Sequence, residues 1–154
     1  MRQPIIGVIG AASVAAAGYE TGRQVGRLIA EANAVLVCGG LGGIMEAACR
    51  GACEAGGQTL GLLPGPDAVA ANPWVTLPLP TNLGHARNVI IAHTAQALIA
   101  VEGEYGTLSE MAIGLKLGKP VVALDSWPDL PGVIYATNPA EAVERALGGI
   151  GMGG

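Results

Sequence analysis

The sequence predicts a single-domain, doubly wound α/β fold: a Rossmann-like, mainly parallel sheet with helices on both faces. Three observations lead there. Short β-branched runs alternate with Ala-rich stretches of helical length along the whole chain. Most of those runs are too uniformly apolar to have a wet face, as expected of strands covered on both sides. Clusters of glycine stand where a strand gives way to a helix, the place where parallel sheets bind ligands.

The elements follow in order. A strand over Ile5–Ile9 leads through Gly10 to a helix over Tyr19–Ala32. A second strand, Ala34–Cys38, is followed by a helix over Gly43–Ala55. Its small face of Ala47, Ala48, Gly51, Ala52 and Ala55 suits close approach to the sheet. The Thr59–Leu63 strand runs into a turn-rich segment, Pro64–Asn72, read either as a surface loop or as an overhang on a ligand crevice. Next come a strand over Trp74–Leu79, a helix over Leu83–Thr94 and a strand over Ala97–Val101. A helix over Thr107–Leu117 opens on Thr107 and Glu110, spaced as a capping box. After the Pro120–Leu124 strand, Asn138 and Pro139 read as an N-cap with proline at the first helical position, opening a helix over Pro139–Leu147. Residues 1–148 form the domain, and 149–154 read as a flexible glycine-rich tail.

Composition narrows the functions. With 51% hydrophobic residues, no Phe and 25 Gly, the core is built of small aliphatic side chains that let backbones approach closely. The net charge of −4 comes with few, scattered basic residues, so nucleic acid and membrane surfaces are not expected partners. No apolar stretch reaches the length of about 20 residues that a membrane span needs. The apolar N-terminus is broken by Gly7, Gly10 and Ser13 and reads as a first strand, not a signal peptide. Three cysteines, Cys38, Cys49 and Cys53, form no disulfide framework and suit a reducing cytoplasm as small buried thiols. Neither His85 nor His93 stands at a zinc-ligand spacing from them, so no metal site is assigned.

Three glycine-bearing turns carry the expected chemistry. The first holds Gly10 and Ser13 after strand one. The second, Gly39, Gly40, Gly42 and Gly43 ahead of Met45, places four glycines in five residues between strand and helix. Without Cβ atoms, successive N–H groups can converge on one anion at a helix N-terminus. The third runs through Gly103, Glu104, Tyr105, Gly106 and Thr107 to Glu110. Arg87, the only Lys or Arg between Arg50 and Lys116, is the natural partner for a phosphate or carboxylate.

On these residues the chain resembles the "lysine decarboxylase-like" or SLOG superfamily, from Gly7 to the last helix. Members include the Lonely-Guy-type phosphoribohydrolases and the molybdenum-cofactor carrier proteins. Gly39 to Met45 matches the family's GGxxGxM-type turn. Gly103, Tyr105, Gly106, Thr107 and Glu110 match its PGGxGTxxE turn in part, and Arg87 lies 23 residues ahead of Glu110 as in the hydrolases. The resemblance implies that Glu110 and Arg87 are the catalytic pair in a hydrolase. Glu110 would act at the N-glycosidic carbon, and Arg87 would hold the phosphate or the base. Gly103, Gly106 and Thr107 would cradle a 5′-phosphate.

Three positions depart from the hydrolase pattern: Glu102 for Pro, Glu104 for the second Gly, and Asn88 for the Lys after the arginine. A carboxylate about 4 Å from a phosphate costs roughly 4 kcal/mol at an effective dielectric of 20. Glu104 must therefore point outward, or the pocket takes a less anionic group or a metal ion. The departures, the short chain and the run from Leu115 to Pro120 resemble the carrier branch more closely. The expected ligand is a phosphate-bearing small molecule, either a pterin-type molybdenum cofactor or a nucleotide. The alternative is hydrolysis of a nucleoside 5′-monophosphate. The superfamily name itself is rejected as a function: a pyridoxal-phosphate decarboxylase needs a Schiff-base lysine, and only Lys116 and Lys119 exist, away from the turns. The family implies a homo-oligomer, dimer or tetramer.

Overall fold

The computed structural model describes residues 2–153. The chain carries seven strands and five α-helices: β1 (Ile5–Gly10), α1 (Ala16–Glu31), β2 (Val35–Cys38), α2 (Ile44–Glu54), β3 (Thr59–Leu63) and β4 (Leu77–Pro80) make the first half. The second half is α3 (Arg87–Thr94), β5 (Ala97–Val101), α4 (Tyr105–Lys116), β6 (Val121–Leu124), β7 (Ile134–Tyr135) and α5 (Pro139–Gly153). The strands form one sheet in the order β4-β3-β2-β1-β5-β6-β7, every neighbouring pair parallel. This is the doubly wound, Rossmann-like arrangement read from the sequence.

Strand alternation divides the core between the two faces of the sheet. Ile6, Val8 and Ile99 join a cluster with Val25 and Ile29 of α1, Ile44 and Ala48 of α2, and Ala142 and Ala146 of α5. Ile9, Leu98 and Ala100 point the other way, onto Ile91 of α3 and Met111 of α4. Every residue of β5 and β6 is buried, which is why these strands read as unbroken apolar runs.

Several expectations are corrected. The small face of α2 packs chiefly on α1, not on the sheet. A Cβ on Gly26 would collide with the Ala48 carbonyl, and one on Gly51 with the Arg23 carbonyl, so the two backbones are in direct contact. Strand β7 escaped notice because it has only two residues, and β4 lies a few residues later than the predicted Trp74–Leu79. Asn138 does cap α5, accepting from Glu141 N (2.8 Å), while Glu141 returns a bond from Thr137 N (3.0 Å). The helix then continues past Leu147, and past the predicted tail boundary at Gly149, to Gly153. Ile150 carries the apolar spacing of Val143, Ala146 and Leu147 one turn further onto the core, and Gly149 lets Pro120 pack close. Gly154 lies outside the described residues.

At the outer edge, β4 reads Leu-Pro-Leu-Pro with all four residues exposed. Thr81, next in the odd-numbered series, donates to Leu63 O (2.9 Å). Alternation therefore turns the Leu77 and Leu79 amides toward β3 and leaves Pro78 and Pro80 at the outward positions. Among the described residues no helix is long and apolar enough to cross a membrane.

Candidate functional site

The chain leaves β1 toward β2 on one side and returns to place β5 on the other, so the loops after β1 and β5 diverge. A crevice at such a switch point follows from the topology. It holds a cavity of about 460 Å³. Gly10 and Ser13 border it from the β1 turn, Gly39 and Leu41 from the β2 turn, and Met45 from α2. Facing them are His85, Arg87 and Asn88 at the start of α3, and Glu104, Gly106, Thr107 and Glu110 from α4.

Arg87 is the polar centre of this cavity. It is only 9% exposed, and its guanidinium lies flat against Gly39, where a Cβ would come within 2.7 Å of both terminal nitrogens. Glycine at position 39 is thus required by the arginine. Nη1 donates to Asn88 Oδ1, while Nε is buried with no hydrogen-bond partner. Burial lowers the Arg87 pKa, opposed by the charge of Glu110, but a guanidinium stays protonated throughout the physiological range. Glu110 is 7% exposed, and burial pushes its carboxyl up to about 7 against the pull of Arg87. The site therefore holds a fixed cation with spare donor capacity beside a carboxyl that titrates near neutrality.

The capping-box expectation for Glu110 is overturned. Helix α4 begins two residues before Thr107, its N-cap is Glu104, and no side chain caps it. Thr107 is buried in the first turn against Gly103, whose φ of 107° no side chain would tolerate there. Glu110 is thereby free of any capping role and turns into the cavity.

The two unusual glutamates separate. Glu102, with φ at 55°, lays its carboxylate against Gly18 in the first turn of α1. That helix has no acidic residue in its first turn and no side-chain cap at Ala15, so Glu102 supplies the negative charge its N-terminus favours. Glu104 does border the cavity, and its carbonyl accepts from Trp127 Nε1 (3.0 Å).

Five of the predicted binding residues lie outside the cavity lining: Gly40, Gly42, Gly43, Gly103 and Tyr105. Gly40 (φ 77°) donates its N–H to Cys38 Sγ (3.3 Å), and Gly43 (φ 66°) backs directly onto Ala11 and Ala12. Ile44 N–H is likewise taken, by Ala11 O (2.9 Å). Gly40 and Gly43 thus serve the backbone conformation of this turn and its packing, and of its four glycines only Gly39 faces the cavity. Tyr105 is 79% exposed, and its ring rests on Trp127 with centroids 5.7 Å apart. Leu41, His85 and Asn88 border the cavity without having been singled out as binding residues. The signal for the last two was proximity to Arg87, through one 3₁₀ turn at Gly84–Ala86 and one peptide bond. The segment Gly65–Ala71 stays outside the cavity. Its end is tied down by buried Asn72, which donates to Leu41 O (2.9 Å) and whose amide bonds Gly40 O.

Lys119 Nζ donates to the carbonyls of Ala92, His93 and Ala95, closing the C-terminal end of α3 at the ends of the strands away from the cavity. Among the described residues, no group of three or more His, Cys, Asp or Glu side chains is arranged to hold a metal ion.

The SLOG cluster4 family model matches residues 3–146, and the chain belongs to that family. An uncharacterized protein of Archaeoglobus fulgidus is 46% identical over 147 residues, covering 96% of this chain and 97% of its own. The molybdenum cofactor binding protein of the phototrophic bacterium Rippkaea orientalis superposes with a TM-score of 0.88 at 36% identity, over 94% of this chain and 95% of that one. The molybdenum cofactor carrier protein of Chlamydomonas reinhardtii gives a TM-score of 0.88 at 37% identity, over 98% and 99%.

Proposed function

From membership of the SLOG cluster4 family, we propose that this protein binds and carries a phosphate-bearing pterin, the molybdenum cofactor, in the crevice between β1 and β5. The observation that carries the reading is Arg87: a buried guanidinium with an unpartnered Nε, held flat by Gly39 at the wall of the cavity. An unsatisfied buried donor is costly, and an anionic ligand oxygen supplies the missing acceptor. Ser13 and Thr107 add hydroxyls within the same wall. The similarity to two molybdenum-cofactor proteins over nearly the whole chain supports the choice of pterin over a plain nucleotide.

Hydrolysis of a nucleoside 5′-monophosphate is the second reading, favoured by one observation. Glu110, with its pKa near 7 beside Arg87, has the protonation behaviour of a general acid or base at a glycosidic bond. One pair of experiments separates the two. Protein purified from a cofactor-producing host retains a pterin by native mass spectrometry in the wild type and loses it in Arg87→Ala. Base released from a panel of nucleoside monophosphates, and abolished in both Arg87→Ala and Glu110→Gln, establishes turnover instead. Neither retention nor release refutes both readings.

A homo-oligomer in the cytoplasm completes the proposal. Leu77, Leu79, Leu83 and Val89 are each at least 42% exposed at the β4–α3 side, and the three free thiols suit a reducing compartment.

A further inference from the structure

Two thiols lie behind the cavity wall and take no part in the site described above. Cys38 ends β2 and Cys49 stands in α2; both are fully buried, with Sγ atoms 3.4 Å apart. The third thiol is engaged elsewhere, Cys53 Sγ donating to Trp74 O (3.0 Å). Cys38 Sγ also accepts the N–H of Gly40, and the residue between them, Gly39, is the surface on which the Arg87 guanidinium lies.

We propose that Cys38 and Cys49 form a dithiol–disulfide site, oxidised by hydrogen peroxide, whose closure shifts Arg87 through the Gly39–Gly40 turn and weakens anion binding in the cavity. The part concerning anion binding rests on the ligand reading above; the disulfide does not.

The chemistry balances with peroxide as the sole oxidant. Local opening of the Gly39–Gly40 turn admits peroxide to the buried sulfur; Cys38 thiolate attacks one peroxide oxygen, the O–O bond breaks, and the departing hydroxide takes the Cys38 proton as water. Cys49 then attacks the resulting sulfenic sulfur, forming the S–S bond and breaking S–O. The second hydroxide leaves with the Cys49 proton. Two thiols lose two electrons and two protons, and peroxide becomes two waters. The sulfurs close from 3.4 Å to the covalent distance of about 2.0 Å. The S–H of Cys49 holds Cys38 below the ordinary thiol value, against burial, with the Gly40 amide and the Arg87 charge assisting. The same contact, with burial, raises Cys49. The Gly40 N–H donated to Cys38 Sγ favours a thiolate there, so Cys38 is the attacking thiol and Cys49 the resolving one. As Cys38 Sγ moves toward Cys49 it withdraws from Gly40 N–H, and the turn that backs Arg87 loses its tie.

The test uses the full chain carrying Cys53→Ser, so that only one disulfide can form. Peroxide-treated protein is unfolded, alkylated and weighed intact. The expected product has lost the mass of two hydrogens, resists alkylation and yields a peptide linking residues 38 and 49. Adding Cys49→Ala stops oxidation at the sulfenic or sulfinic acid of Cys38. Full alkylation after peroxide, or sulfinic acid alone with Cys49 present, overturns the site. Coupling is read in the same sample from the Arg87 Nε–H and Gly40 amide resonances, which shift on oxidation and return with dithiothreitol; unmoved resonances overturn it. Inorganic pyrophosphate should bind the oxidised form about tenfold more weakly, the scale of one charge-assisted hydrogen bond. Equal affinity also overturns the coupling, whereas a reduced protein that binds no pyrophosphate refutes the ligand reading and leaves the resonances to decide.

Discussion

Glu110 and Arg87 sit in one cavity, and their burial makes the site a pH-sensitive one. The folded-state pKa of Glu110, about 7, is above its ordinary 4.5, so the folded protein holds a proton that the unfolded chain releases. Stability from this residue is full below about pH 4.5 and is lost as pH rises through 7, by an amount on the order of 3 kcal/mol. Glu110→Gln should abolish that loss, seen as a denaturation midpoint that no longer falls between pH 5 and pH 8. Binding of an anionic ligand follows the same proton. Affinity should strengthen below about pH 7 in the wild type beyond the change in Glu110→Gln, which reports the ligand's own titration. The sequence shows both residues through their types and their separation. What it could not show is that α4 starts at Tyr105, because the Thr107–Glu110 spacing satisfies a capping rule that the helix does not use. Nor could it show that Gly39 is small for the sake of Arg87, while Gly40 and Gly43 serve the turn.

At the scale of elements, apolar runs and glycine punctuation located six of seven strands and four of five helices to within about four residues, and the start of the fifth helix but not its end. Helix ends were the weakest part, because tertiary contacts set them: Ile150 and Gly149 carry α5 onward against the core and Pro120. Pairing between helices was invisible for a related reason. Small residues on α2 state that something approaches closely, not that the something is α1. That contact makes a prediction: Gly26→Ala, which in an isolated helix would gain about 1 kcal/mol, drives a methyl into the Ala48 carbonyl. It should destabilise the fold by roughly 1–3 kcal/mol in urea denaturation. Lys119→Met is the complementary case. It leaves the carbonyls of Ala92, His93 and Ala95 without their shared donor and should cost about 1–3 kcal/mol while α3 keeps its helicity by circular dichroism.

For the molecule as a whole, the order of strands places the crevice that holds Arg87 and Glu110 where the loops after β1 and β5 part, and the sheet must end somewhere on either side. One end is the two-residue β7; the other is β4, with Pro78 and Pro80 facing outward. An ordinary boundary strand would present a row of amide donors onto which any extended chain could be laid. Here that row is missing at both outward positions of β4, so this edge offers no amide donor to a neighbour's extended chain, which disfavours edge-to-edge pairing. Replacing both prolines with threonine should leave the fold intact yet bring turbidity and thioflavin-T signal at concentrations where the parent stays clear. Contact between native copies at this end of the sheet is correspondingly left to side-chain surfaces such as the exposed Leu77 and Leu79, and such contact would be reversible on dilution.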